Sequence, residues 1–362
     1  MSLAAGAAVG PPPGMRIRLS SNESPFGPSP AAVEAAAAAA AEAHRYPDDA
    51  SVALRAALAR ADGVPVGNVM VGNGSAAVLM DLIAACCAGH ADAEVVTYER
   101  AFIVYRLATA TAGARLVEVP VGPGASGDTD GYARDPEALL AAVTPRTRVV
   151  VLDNPANPTG SHLDADGLRV LAAGLPPDVT LVVDEAYHHV ASGHAGYART
   201  ADLDLDHPRI AVVTTFSKAY ALAGHRIGAL TGPVDLVAAV DGRRPRFNLA
   251  APAQAAALAA LGDADHLAAT VAGTLAGRDR LAAGLRALGV PLTAGLGNFV
   301  TVELGCPAGP VVAAYAERGI GVRALAPYGL DAQVRITVGT PAEVDAVLEA
   351  SGDVLAEVPS RA

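Results

Sequence analysis

Three short apolar runs, each stopping at polar residues, constrain the fold of this chain more than any other feature. Residues 148–152 stop at Asp153-Asn154-Pro155, residues 180–183 at Asp184-Glu185, and residues 210–213 at Thr214-Thr215. None alternates apolar with polar side chains, so each predicts a strand covered on both faces, as in a mostly parallel sheet between layers of helices. Residues 69–71, 94–97 and 115–119 extend the pattern, with helices predicted over 76–88 and from near Phe102. Polar residues gather just past the carboxyl ends of these strands, where open α/β sheets bind ligands.

At 362 residues the chain exceeds one compact core, and a second domain is expected. The character changes after Arg243-Arg244-Pro245. Beyond it lie an Ala-rich helical stretch, 251–285, with Gly262 and Gly277 as interruptions, short strands at 299–303 and 334–338, and helices near 308–317 and 341–349. We expect an N-terminal arm (1–44) joining the smaller domain, a large ligand-binding domain (45–245) and a small α+β domain (246–362). No internal repeat is visible.

Several function classes drop out. With 26 basic against 37 acidic residues the net charge is −11, which disfavours nucleic acid as a partner. No uncharged apolar run reaches the ~18–20 residues of a membrane span, and the alanines at 35–41 sit between Glu34 and Glu42, as in a water-exposed helix. Cys86, Cys87 and Cys306 lack metal-ligand spacing and read as small buried apolar residues, so no metal is expected. Sparse cysteines and the absence of a secretory signal point to the cytoplasm. Residues 4–13, rich in Ala, Gly and Pro, are expected to be mobile.

Four strand ends supply polar residues in chain order: Gly74-Ser75, then Asn154 through Gly160, then Asp184-Glu185-Ala186-Tyr187, then Thr215-Phe216-Ser217-Lys218, with Arg226 eight residues further on. A lysine in a mostly apolar site has a lowered pKa and attacks carbonyls. A neighbouring carboxylate can hold a pyridinium proton, while hydroxyls, an arginine and a free helix N-terminus bind a phosphate dianion. Together these are the demands of pyridoxal phosphate (PLP). A nicotinamide dehydrogenase fits less well, because Gly72-Asn73-Gly74-Ser75 is not the G-x-G-x-x-G fingerprint.

The same segments resemble the fold-type I, PLP-dependent aminotransferases of class I/II, and within them the histidinol-phosphate aminotransferase branch. The matching stretches are residues 19–28 (LSSNESPFGP), 45–48 (RYPD), 72–75 (GNGS), 154–160 (NPANPTG), 184–187 (DEAY), 215–224 (TFSKAYALAG), 298–300 (NFV) and 334–340 (VRITVGT). The resemblance implies an α/β, aspartate aminotransferase-like fold: a large, mostly parallel, seven-stranded α/β/α domain plus a smaller α+β domain. It implies catalytic roles for Lys218, which carries the cofactor and moves the proton at the donor Cα, for Asp184 at the ring nitrogen, and for Tyr187. With Tyr187, Asn157 is implied at the ring's phenolic oxygen and Phe102 against the ring face. Thr215, Ser217 and Arg226, with backbone N–H groups at Gly74, Ser75 and Ala76, are implied around the phosphate. Tyr46 is implied to reach the phosphate of a second copy, which makes the protein a homodimer. Asn22, Arg323 and Arg335 are implied to contact substrate, with Arg335 on the donor carboxylate. His188 and His189, after Tyr187, are expected outside the contact layer or at the surface.

Two departures bear on substrate. The branch usually has a Tyr two residues before a Pro-Gly near the N-terminus, whereas residues 10–14 here read GPPPG. Ala76 and Ala77 replace a frequent acidic pair. We therefore expect an amino acid or histidinol phosphate as donor, histidinol phosphate being the poorer, and a 2-oxo acid such as 2-oxoglutarate as acceptor. An aromatic or specialised-metabolite aminotransferase, or a PLP-dependent decarboxylase of the same fold, is the alternative.

Overall fold

A computed structural model describes residues 15–122 and 132–357. The Pro-rich segment at 10–14 and the expected mobility of 4–13 lie outside the described residues.

The chain opens with β1 (Ile17–Arg18), α1 (Pro30–Ala40) and α2 (Val52–Asp62). Strands and helices then alternate: β2 (Val69–Gly72), α3 (Ser75–Cys87), β3 (Glu94–Tyr98), α4 (Val104–Thr111), β4 (Arg115–Val119), α5 (Pro136–Ala141), β5 (Thr147–Asp153), α6 (Ala165–Gly174), β6 (Thr180–Asp184), α7 (His188–Ala191), β7 (Ile210–Thr215), β8 (Gly228–Thr231) and α8 (Val234–Asp241). The last third holds α9 (Ala251–Gly262), α10 (Ala264–Ala287), β9 (Leu292–Thr293), β10 (Phe299–Glu303), α11 (Ala308–Glu317), β11 (Ile320–Gly321), β12 (Arg323–Leu325), β13 (Leu330–Thr337) and α12 (Pro341–Glu357).

Seven strands form one sheet in the order β2-β8-β7-β6-β5-β3-β4. All neighbours run parallel except β8, which is antiparallel to both β2 and β7. The continuous apolar runs are explained by the pleat, which sends successive side chains to opposite faces. Val149 and Val151 join Leu79, Leu82 and Ile83 of α3 on one side. Val150 and Leu152 join Leu168 and Leu171 of α6 on the other. Both faces are covered, so neither set of positions tolerates polar residues.

The alanine-rich helices use their small side chains for close approach. Helix α1 lies along α9, and Ala32, Ala253, Ala256 and Ala257 share a core with Leu54 of α2 and with Val69 and Val71 at the sheet edge. A second, antiparallel sheet has the order β12-β13-β10-β9 and buries Val300, Val334 and Ile336 against α10, α11 and α12. Pairing of β1 with β11 ties Ile17 and Arg18 to this second layer.

Three local expectations are corrected. Strand β8 was not anticipated, being four residues that begin with Gly228. The interruption expected at Gly262 is present: α9 ends there, and the Asp263 side chain accepts the His266 N–H and starts α10 afresh. Gly277 interrupts nothing. A Cβ there would lie 2.6 Å from Val338 Cγ1, so this glycine allows helix and strand to touch. Among the cysteines, Cys87 is buried, whereas Cys86 and Cys306 are half-buried; all three are free thiols. No helix among the described residues is long and apolar enough to cross a membrane, and these residues hold no metal-binding cluster of His, Cys, Asp and Glu.

Candidate active site

Asp184 ends β6 and stands in register beside Asp153, the last residue of β5. It is buried and takes a hydrogen bond from the Tyr105 hydroxyl (3.1 Å) and another from the Ala186 N–H (3.2 Å). Burial, and then the charge of Asp153, push its pKa up to about 7. The site therefore disfavours an anion at Asp184 unless a cation comes to meet it.

Lys218 follows β7 and donates its Nζ to the Asn22 carbonyl at 2.9 Å. Burial lowers its pKa to about 7, and the nearby Arg335 guanidinium adds to the effect. Asn22, at φ 53°, is held from three sides. Its N–H bonds Thr337 Oγ1 (3.0 Å), its Nδ2 donates to the Tyr187 hydroxyl (2.8 Å), and Asn298 Nδ2 donates to its carbonyl (3.2 Å). Thr337 is on β13, so the second sheet fixes the residue that receives the lysine.

The N-terminus of α3 faces Arg226. Gly74 occupies the cap position at φ 83°, ψ 156° with no side-chain cap, which leaves the first-turn N–H groups of Ser75 and Ala76 without that partner. A Cβ on Gly74 would lie 2.4 Å from the Arg226 Nη2, so only glycine admits this approach. Arg226 Nη1 reaches Ser217 Oγ (3.4 Å), and Thr215 Oγ1 donates to Ser217 Oγ (3.0 Å). Two hydroxyls, a guanidinium and an uncapped helix start make a fitting cradle for a phosphate dianion.

Residues 15–350 match the family described as aminotransferase class I and II. The chain belongs to that family. Among its relatives, histidinol-phosphate aminotransferase 2 of Methylococcus capsulatus is 41% identical over 345 residues, covering 94% of this chain and 90% of the relative. The aromatic amino acid aminotransferase of Rhodococcus jostii is 40% identical over 332 residues, covering 92% and 88%. The crystal structure of histidinol-phosphate aminotransferase from Sinorhizobium meliloti in complex with pyridoxal-5'-phosphate superposes with a TM-score of 0.84 at 32% identity, over 95% of this chain and 92% of that one.

In this aminotransferase, Arg335 of β13 is buried beside the lysine. Its Nη1 donates to Asn157 Oδ1 and its Nη2 to the Ser20 carbonyl (2.9 Å), while Nε has no hydrogen-bond partner among the described residues. Arg323 Nε donates to the same Ser20 carbonyl at 3.1 Å. The Phe102 ring stands edge-on to that of Tyr105, with 6.0 Å between centroids. One chain thus links Asn22, Asn157, Asp184, Tyr187, Lys218, Arg323 and Arg335 through hydrogen bonds and charge contacts. It does not bring Tyr46 there. That ring is 82% exposed and stacks on Phe247 with 4.6 Å between centroids. His188 is buried and His189 half-buried on α7, and burial lowers both pKa values.

Sequence reasoning missed Tyr105, Asp153 and Arg134. Asp153 was visible as a strand-end residue, but its partners Phe102, Arg134 and Asn157 come from three different loops that only the fold brings together. Neither Tyr105 nor Arg134 belongs to any of the motifs the sequence offers.

Proposed function

We propose that this aminotransferase holds PLP through Lys218 and transfers an amino group from an amino acid to a 2-oxo acid such as 2-oxoglutarate. The observation that carries the reading is the convergence of a lysine with pKa lowered to about 7, a buried carboxyl with pKa raised to about 7, and an uncapped helix start facing an arginine. Bound PLP supplies the electron sink that lets the donor's α-proton leave.

The protein side of the chemistry follows from the residues. Asp184 gains a cationic partner in the protonated ring nitrogen, which relieves the penalty on its own ionisation and keeps that proton in place. Lys218, partly unprotonated at neutral pH, would accept the proton at the donor Cα and hold it for return. Tyr187 and Asn157 hold the ring's phenolic oxygen, and Phe102 covers the ring face. Gly74, Ser75, Ala76, Thr215, Ser217 and Arg226 bind the phosphate. Arg335 takes the donor carboxylate with its planar fork, while Arg323 and Asn22 border the donor.

The exposure of Tyr46 supports a homodimer in which each copy would lend that hydroxyl to the other's phosphate. The division into an arm (1–44), a large unit (45–245) and a small unit (246–362) is proposed with it, α9 packing on the large sheet.

For the donor, an aromatic amino acid is favoured over histidinol phosphate, on the missing Tyr at 10–14. One lost hydrogen bond to a charged group lowers efficiency about ten- to a hundred-fold. Borohydride reduction and peptide mapping should label Lys218, and kcat/KM for phenylalanine and tyrosine should exceed that for histidinol phosphate. A label on another lysine sinks the site, and a hundred-fold preference for histidinol phosphate sinks the donor assignment.

A further inference from the structure

Asp153 has no role so far, yet its carboxylate is engaged on every side. Oδ2 accepts the backbone N–H of Phe102 (3.1 Å) and that of Asn157 (2.9 Å). Oδ1 accepts Arg134 Nη2 (2.7 Å), and Arg134 Nη1 donates to the Asp153 carbonyl (2.6 Å). Both side chains are sealed from water, at 1% and 3% exposure, and the guanidinium lies over the Tyr98 ring with 4.9 Å to its centroid.

Stability alone does not account for this arrangement. A buried ion pair seldom outperforms well-packed apolar side chains of the same volume. Here it also stands next in register to Asp184, where a second negative charge opposes ionisation. What an apolar pair cannot do is bind two N–H groups with one oxygen. Phe102 lies beyond β3 and Asn157 beyond β5, on two separate loops. A single carboxylate oxygen, Oδ2, fixes their backbones relative to each other, and Arg134 holds the carboxylate in place through its other oxygen, Oδ1.

We infer that the buried Arg134–Asp153 pair is a positioning device for the cofactor ring, locking the loop that covers the ring face to the loop that holds its oxygen. The inference rests on the PLP reading above. The charged and titratable groups facing Asp184 are Asp153 from β5, Tyr105 from α4, Tyr187 after β6 and Lys218 after β7, with Arg134 behind Asp153.

The test compares Asp153→Asn, Arg134→Gln and Arg134→Lys with wild type. In the cofactor-free protein, hydrogen exchange at the amides of Phe102 and Asn157 is expected to quicken about tenfold or more in Asp153→Asn, while the β2 amides keep their rates. In the PLP-loaded protein the same variant is expected to lose about half or more of the cofactor's induced circular dichroism. Its pH-dependent visible band is expected to titrate about half a pH unit or more lower, because a negative charge has gone and Arg134 remains. Turnover should fall about ten- to a hundred-fold with PLP affinity changed less than about threefold, and Arg134→Lys should lose less than Arg134→Gln.

A purely structural pair would move thermal stability but leave the dichroism and the amide exchange of the two loops where they are. Should Asp153→Asn fail to fold, Arg134→Lys takes its place, with a smaller loss of dichroism expected and an unchanged dichroism overturning the inference. Wild-type protein without a PLP band overturns the site reading and this inference with it. A PLP-loaded Asp153→Asn protein indistinguishable from wild type overturns the inference alone.

Discussion

Removing the charge at Asp184 gives a sharp test of the site, because its effect on stability and its effect on turnover run in opposite directions. In the protein without cofactor, the Asp184 carboxyl titrates at about 7 instead of the ordinary 3.8. The native state therefore binds this proton more tightly than the unfolded chain does. Stability from that proton is full below about pH 4 and is lost as pH rises to about 7. The gap of about three pH units corresponds to about 4 kcal/mol, of which about half falls between pH 5 and pH 8. Asp184→Asn lacks the titration. Urea unfolding of the two cofactor-free proteins should thus show the variant gaining about 2 kcal/mol on wild type between pH 5 and pH 8. With PLP bound the comparison is expected to reverse, because on the proposed reading the carboxylate would meet the protonated ring nitrogen and the amide would not. Turnover of the loaded variant should fall on the order of a thousand-fold, as expected when an ion pair in a dry site is removed. A wild-type-to-variant stability difference that is the same at pH 5 and pH 8, or a variant keeping a tenth of wild-type turnover, refutes the reasoning.

Two further outcomes follow from the same geometry. Gly74→Ala puts a Cβ 2.4 Å from Arg226 Nη2 at a backbone φ of 83°, so PLP affinity measured by fluorescence titration should drop about ten- to a hundred-fold; a change under twofold would show that the cradle lies elsewhere. Arg335→Lys loses the fork that reaches Asn157 and Ser20 together, and KM for the amino donor should rise about tenfold or more with PLP affinity nearly unchanged; an unaltered KM would remove Arg335 from the donor carboxylate.

The sequence by itself determined the layered α/β architecture and the chemistry. Apolar runs such as 149–152 have one stable use, a strand buried on both faces, because both faces of the pleat must avoid water. The residues that end those runs fall at one edge of the sheet for the same geometric reason, so Gly74, Asp184 and Lys218 were legible as a group before any coordinates. Three things belonged to the tertiary structure alone. Strand β8 is short and opens on a glycine, and it forms only because β2 and β7 flank the slot it fills. Asn22 became the seat of Lys218 because Thr337 and Asn298, some 300 residues away, hold it there. The Arg134–Asp153 pair needs two charges to leave water together. An isolated arginine in a sequence carries no sign of that, since its burial is tolerable only once the partner carboxylate is in place.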